Sequence, residues 1–273
     1  MDDFKHRTAV ITGAASGIGL ALAEACGAEG MRVALADLPG ERLEAAHAKL
    51  KGLGVKARAY GVDVSDLQAM RRLAEAVRAD LGEVRLLCNN AGVGGVKRWT
   101  WRFGEADWNR FLNVNLRGVI NGLQAFAPGM VDLPAGHIVN TSSMAGLLPT
   151  PMNAPYCASK FAVVGLSEAL ALDLKQYGSR IGVSVLCPGL VKTAIGDERS
   201  AGAFEGMDAA ERAYNQSLVG AIASGMSAAE VAQQVLSAVR EGRFYVLTHP
   251  QGLPLIERRL NALLAGEAPS LGV

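Results

Sequence analysis

Aromatic side chains are scarce in this sequence and its charge is almost balanced. Phe, Trp and Tyr make up 5% of 273 residues, and 27 Lys and Arg stand against 26 Asp and Glu, a formal net charge of +1. Balanced, well-mixed charge argues against a nucleic-acid surface and against a polybasic membrane arm. No apolar run reaches the roughly 18 residues of a membrane span. The polar residues 1–7 lead straight into a strand pattern, so no signal peptide or membrane anchor is expected, and the cytoplasm is the expected compartment. Cys26, Cys88, Cys157 and Cys187 form no C-x-x-C, and the four histidines form no H-E-x-x-H. Buried, reduced thiols and no metal site are the reading.

Apolar residues and glycine are plentiful: half of the residues are hydrophobic and 32 are glycine. A chain of this length builds one sizeable core and is short for two, so one domain over residues 1–273 is expected. Strand patterns fall at residues 7–12, 32–36, 56–64, 84–88, 137–141, 182–187 and 244–248. They are apolar throughout rather than alternating, as strands buried on both faces are. Helical patterns separate nearly all of them. Over residues 67–81, Leu67, Met70, Leu73, Val77 and Leu81 form one stripe, with Asp66 as the N-cap. The alternation predicts an α/β fold, a parallel sheet with helices on both faces. Residues 194–226, rich in Ala, Gly, Ser and charge, read as either a helical lid or a flexible loop.

Two short patterns carry chemistry. Thr12-Gly13-Ala14-Ala15-Ser16-Gly17-Ile18-Gly19 joins the first strand to the first helix. Glycines there let the backbone approach a pyrophosphate, and the helix N-terminus offers free N–H groups and positive potential. Asp37, 18 residues after Gly19, ends the second strand. A carboxylate there accepts hydrogen bonds from the hydroxyls of an adenosine ribose and repels a 2′-phosphate. Asp63, at the end of the third strand pattern, reads as either an adenine contact or a turn cap. Tyr156 and Lys160 are four residues apart on one helix face. An ammonium beside a phenol favours the phenolate, so the tyrosine can exchange a proton with a carbonyl or alcohol near neutral pH. Ser142 and Ser143 follow the fifth strand, at the edge where parallel sheets bind ligands.

These residues resemble the short-chain dehydrogenases/reductases over residues 5–193. The glycine motif lies at residues 12–19 and N-N-A-G is Asn89-Asn90-Ala91-Gly92. The helix asparagine is Asn115 rather than Asn113, because the pattern continues as Leu116-Arg117-Gly118. The serine thirteen residues before the tyrosine is Ser143, and P-G-x-x-x-T is Pro188-Gly189-Leu190-Val191-Lys192-Thr193.

The resemblance implies a single doubly wound Rossmann domain whose seven-stranded, mostly parallel sheet has the order 3-2-1-4-5-6-7. It implies hydride transfer between NAD(H) and a secondary alcohol or ketone, with Asn115, Ser143, Tyr156 and Lys160 catalytic. Gly13, Ser16, Gly17, Ile18 and Gly19 would hold the pyrophosphate and ribose, with Asp37 on the adenosine ribose. Asp63 and Val64 would flank the adenine, and Asn90, Ala91 and Gly92 would pass beneath the cofactor. Tyr156 and Lys160 would meet the nicotinamide ribose, and Pro188, Gly189, Val191 and Thr193 the nicotinamide. Asn115 would hold a water linking Lys160 to solvent. The implied partners are a small-molecule alcohol or ketone and further copies of the chain, in a homotetramer or homodimer that uses the apolar helices at residues 118–130 and 161–174. No nucleic acid and no membrane is implied.

An NADP-linked carbonyl reductase on the same fold is the nearest alternative, which Asp37 and Ala15 oppose. A non-catalytic dinucleotide sensor is the other, opposed by the intact Ser143, Tyr156 and Lys160. Substrate identity lies outside the motifs. Trp99, Trp101, Phe103 and Trp108 line an apolar pocket or form a core or interface patch. Met144, Leu147, Leu148, Pro149 and Met152 are apolar neighbours of the serine. The extension at residues 249–273 either closes a pocket or caps the sheet, and His249 within it is assigned no catalytic role.

Overall fold

Seven parallel strands form one sheet in the order β3-β2-β1-β4-β5-β6-β7. The computed structural model describes residues 4–193 and 205–270. The strands are β1 (Thr8–Thr12), β2 (Arg32–Asp37), β3 (Ala57–Gly61), β4 (Val84–Asn89), β5 (Gly136–Thr141), β6 (Ile181–Cys187) and β7 (Tyr245–Leu247). The helices are α1 (Gly17–Ala28), α2 (Glu41–Gly52), α3 (Leu67–Leu81), α4 (Glu105–Leu112), α5 (Gly118–Phe126), α6 (Ala154–Tyr177), α7 (Ala209–Ala223), α8 (Ala228–Glu241) and α9 (Leu253–Leu264). Every residue of β1 and of β5 is buried, which explains the absence of alternation in their sequences.

Each face has its own core. Leu22 and Cys26 of α1, Leu43 and Leu50 of α2, and Val231, Val235 and Val239 of α8 pack on one side. On the other, Met70, Leu73, Val77 and Leu81 of α3 meet Phe126 of α5 and Leu174 of α6. The α3 stripe is therefore its buried face, and Asp66 caps it by accepting from the N–H groups of Gln68 and Ala69. Strand order reverses direction between β1 and β4, which opens a crevice beyond their C-terminal ends.

Several boundaries differ from the sequence reading. The third strand stops at Gly61, where its pairing with β2 ends opposite Asp37, so Asp63 lies in the following turn. The seventh strand is only Tyr245–Leu247. Of the proposed lid, residues 194–204 lie outside the described residues. The remainder is chiefly the regular helix α7, opened by a reciprocal cap between Asp208 and Glu211.

Candidate active site

Backbone conformation explains the glycines at the mouth of the crevice. Gly13 and Gly17 have φ of +67° and +53°, a left-handed region that favours glycine. A Cβ on Gly13 would stand 2.8 Å from the Cα of Ala91, and one on Gly19 would stand 2.7 Å from Asn90 Nδ2. The glycine turn thus sits directly on the N-N-A-G segment. Thr12 fixes that contact: its hydroxyl accepts from the N–H groups of Asn90 and Ala91 at 2.9 and 3.0 Å, and Asn90 Nδ2 donates to its carbonyl at 3.0 Å. Ser16 is extended and makes no side-chain bond across the N-terminus of α1, and no acid occupies the first turn. That end presents N–H donors to an anion. Ile18 turns back into the core behind it.

Asp37 closes the cradle on the β2 side. Its carboxylate accepts from Ala15 N–H at 2.8 Å and from Leu38 N–H at 2.7 Å, so it is anchored beside the glycine turn. Asp63 behaves as a cap: it is exposed, and its Oδ1 accepts from Ser65 N–H and Oγ, both at 2.8 Å. Val64 is buried, and its carbonyl accepts from Asn121 of α5 at 2.8 Å.

The second half of the crevice gathers Tyr156, Lys160 and Asn115. α6 begins after Asn153, with Pro155 in its first turn, where a missing N–H costs nothing. Lys160 is buried, 3% exposed, and donates from Nζ to the carbonyl of Thr141 at 3.0 Å. Its Nζ lies 5.7 Å from the centre of the Tyr156 ring. Burial pushes the Lys160 ammonium down from 10.5 to about 8, which still leaves it mostly charged at neutral pH. Phe111 of α4 packs edge-on against the Tyr156 ring at 6.2 Å.

Asn115 is fully buried in a single π turn, Asn113–Arg117, between α4 and α5. Such turns interrupt the regular ladder and often mark functional sites. Its Oδ1 accepts from Val93 N–H at 2.7 Å, and its Nδ2 donates to Val93 O at 3.1 Å and Ser159 Oγ at 3.2 Å. The side-chain amide is therefore committed to protein partners. A Cβ on Gly92 would come within 3.2 Å of Asn115 Oδ1 and 3.5 Å of Lys160 Nζ, so these three groups are in close contact.

The two serines have different surroundings. Ser142 donates its hydroxyl to the carbonyl of Lys160 at 2.7 Å and ties β5 to α6. The Ser143 hydroxyl accepts from Ala145 N–H at 3.1 Å and has only a long contact, 3.4 Å, to Pro188 O. Of the two, Ser143 is the one with a hydroxyl proton to offer a ligand.

Pro188 and Gly189 follow β6 and are held from the far side by His249. Gly189 N–H donates to His249 Nδ1 at 3.0 Å, and Nε2 lies 3.1 Å from Leu190 O. Val191 bridges to Met226, and Thr193 meets Gly17: a Cβ on that glycine would stand 3.1 Å from Thr193 Cγ2. The two ends of the crevice thus approach each other.

The sequence reading missed a polar seam on the substrate side. Glu211 of α7 is fully buried, accepting from Arg102 Nη1 at 2.6 Å and from Trp99 N–H at 3.0 Å. Asn215, one turn on, brackets Lys97 by accepting from its N–H and donating to its carbonyl, both at 2.8 Å. The cap pattern Asp208-x-x-Glu211 was visible in sequence, but its burial was not. The tryptophans do not form a core: Trp99 and Trp101 stack at 5.5 Å, and Trp101 is 79% exposed.

Among the described residues, no helix is long and apolar enough to cross a membrane. The short chain dehydrogenase family profile matches residues 7–203. A short-chain dehydrogenase/reductase from Burkholderia phymatum, solved in complex with NAD, superposes with a TM-score of 0.93 at 37% identity, covering 100% of this chain and 99% of that one. The CLA biosynthesis dehydrogenase/reductase of Lactiplantibacillus plantarum is 31% identical, with 100% of this chain and 98% of the relative aligned. The C alpha-dehydrogenase of Sphingobium sp. strain SYK-6 is 33% identical over 98% of this chain and 89% of its own length. With this sheet order, this glycine turn and these relatives, the chain belongs to the short-chain dehydrogenase family of oxidoreductases.

Proposed function

We propose that the protein transfers a hydride between NAD(H) and a hydrophobic or cyclic secondary alcohol or its ketone, with Tyr156 as acid and base. The observation that carries this reading is the pairing of Tyr156 with a buried ammonium, Lys160, one helical turn away at the mouth of the crevice. The glycine turn, with its uncapped helix N-terminus, and Asp37 beside it fit a dinucleotide with a free ribose hydroxyl. Gly13, Ser16, Gly17, Ile18 and Gly19 would hold the pyrophosphate, and Asn90, Ala91 and Gly92 the cofactor's inner face. Asp63 and Val64 would flank the adenine. Pro188, Gly189, Val191 and Thr193 hold the nicotinamide end. When bound, the dinucleotide supplies or accepts the hydride.

The protein's own groups handle the proton. In oxidation the Tyr156 phenolate takes the proton of the alcohol hydroxyl, and in reduction the phenol returns it to the carbonyl oxygen. Lys160 stabilises the phenolate and holds the ribose. Ser143 donates a hydrogen bond to the reacting oxygen and fixes its position. Asn115, which holds Val93 next to Gly92 and Lys160, would hold the water that links Lys160 to solvent.

The whole chain acts as one domain, with α7 in a substrate lid and α9 in the C-terminal extension. Four buried, unpaired cysteines fit a reducing cytoplasm. Exposed Leu172 and Tyr177 on α6 and Leu260, Leu263 and Leu264 on α9 favour a homotetramer or homodimer.

Tyr156→Phe tests the reading. It deletes one hydroxyl and leaves the ring packed, so turnover of secondary alcohols should fall by about 10²–10⁴-fold or more. NADH binding, read by fluorescence titration, should persist. More than a tenth of wild-type activity would remove Tyr156 from the mechanism.

A further inference from the structure

A second lysine stands at Tyr156. Lys97 belongs to the segment after β4, outside every motif. It is 7% exposed, its Nζ lies 5.2 Å from the centre of the Tyr156 ring, and it donates to Asn153 Oδ1 at 2.6 Å. The Lys160 ammonium is 5.7 Å from the same ring centre. The Tyr156 ring therefore has two buried ammonium groups within about 6 Å of its centre, and a positive charge so close to the ring favours the phenolate over the phenol.

The position of Lys97 depends on α7. Asn215 is fully buried and takes both backbone groups of Lys97 at 2.8 Å, across 118 positions of sequence. Next to it, Arg98 N–H donates to the carbonyl of Met152 at 3.0 Å, and Met152 holds the left-handed φ of 56° just ahead of α6. A non-glycine residue in that region is strained, and its surroundings must hold it there. The segment carrying Lys97 is thus fixed between α7 and the head of α6.

We propose that Lys97 is a second ammonium acting on the Tyr156 phenol, and that Asn215 of α7 seats it there, so that the docking of α7 sets the strength of the base. The inference rests on the reading of Tyr156 as acid and base. Lys97 and Asn215 are positioning residues in it. Other groups lie around the ring among the described residues. α6 contributes Lys160, and α4 contributes the uncharged Phe111, with Arg110 on that ring's own face. Cys187 of β6 adjoins Lys160, and Tyr214 of α7 adjoins Cys157, and burial raises both above their ordinary values. Glu211, which also accepts from Trp99 N–H, is paired with Arg102.

The test is the pH profile of alcohol oxidation. Oxidation needs the phenolate, and losing a cation raises the pH at which the phenolate forms. Lys97→Met should move the rising limb of kcat/KM up by about one unit or more while NADH affinity stays unchanged. Lys97→Arg keeps the charge and should keep the limb near wild type. Asn215→Ala should move the limb in the same direction, and the double variant should move it no further than Lys97→Met alone. Asn215→Ala carries the same test if Lys97→Met does not fold. A limb that stays put in folded Lys97→Met, with Tyr156→Phe inactive, overturns the role of Lys97 alone. An active Tyr156→Phe overturns the parent reading instead.

Discussion

Gly189 and His249 are shaped for each other. The glycine N–H donates to His249 Nδ1 at 3.0 Å, and a Cβ at position 189 would stand 2.7 Å from the ring's Cγ. A histidine from the C-terminal extension thus braces the Pro188-Gly189 turn. Its Nδ1 accepts, so Nε2 carries the proton that faces Leu190 O.

Gly189→Ala should drive the ring away and release that turn. Losing one such hydrogen bond costs about 1 kcal/mol, and the displaced turn should weaken NADH binding roughly tenfold. His249→Ala opens the space, so the double variant should melt closer to wild type than its two separate losses predict. Fluorescence titration and thermal melts check both. Purely additive losses would mean that the ring is not what a Cβ meets.

Asp37 should choose the cofactor. It is held against Ala15 N–H, where a 2′-phosphate would face its charge. Two unit charges about 4 Å apart repel by about 1 kcal/mol in water and about 4 kcal/mol at an effective dielectric near 20. The expected preference for NAD over NADP in kcat/KM is at least about tenfold. Asp37→Ala should narrow it, mainly by weakening NAD. Equal efficiency with both cofactors in the wild-type enzyme would refute the assignment.

Lys160 should destabilise the cofactor-free protein. Burial lowers it from 10.5 to about 8, so below pH 8 the native state carries the full cost of a buried charge. At about 1.36 kcal/mol per unit that cost is about 3 kcal/mol. It fades as pH rises from 8 to 10.5, because the native lysine loses its proton first. Lys160→Met removes the cost but strips Thr141 O of its donor, which returns about 1 kcal/mol. The inactive variant should melt about 4–8 °C higher at pH 7, with the gap closing above pH 8. A lower melting temperature at pH 7 would contradict this.

His137 should set part of the acid sensitivity. It is 1% exposed in β5 with Nε2 at 2.7 Å from Ser184 Oγ, and burial pushes it from 6.5 down to about 4. Between pH 6.5 and 4 the unfolded chain takes up a proton that the native chain refuses, so stability falls as pH falls, by up to about 3 kcal/mol. His137→Gln should flatten the dependence of the urea midpoint on pH across that window. An unchanged slope would assign the acid loss to other groups.

Local chemistry was legible before any fold was known. The turn at residues 12–19 needs φ values that favour glycine at Gly13 and Gly17, so residue type alone marks it. Tyr156 and Lys160 share a face because helix geometry puts them there. The α3 stripe and its Asp66 cap are equally local. The boundary errors came where the end of an element depends on distant partners. Asp63 lies in a turn because β3 loses its partner opposite Asp37, a matter of strand pairing across the chain.

By itself the sequence determined the parallel sheet, its alternating helices and the short motifs along one edge, because period, chirality and nearest-neighbour spacing act within a few residues. Tertiary structure alone decided which groups meet across long separations. Lys97 reaches Asn215 across 118 positions, Arg102 reaches Glu211 across 109, and Gly189 reaches His249 across 60. Nothing in the local sequence around these residues marks their partners. Glu211 and Asn215 are fully buried, which makes their pairings obligatory, because an unpartnered polar group in the interior costs more than its hydrogen bond returns.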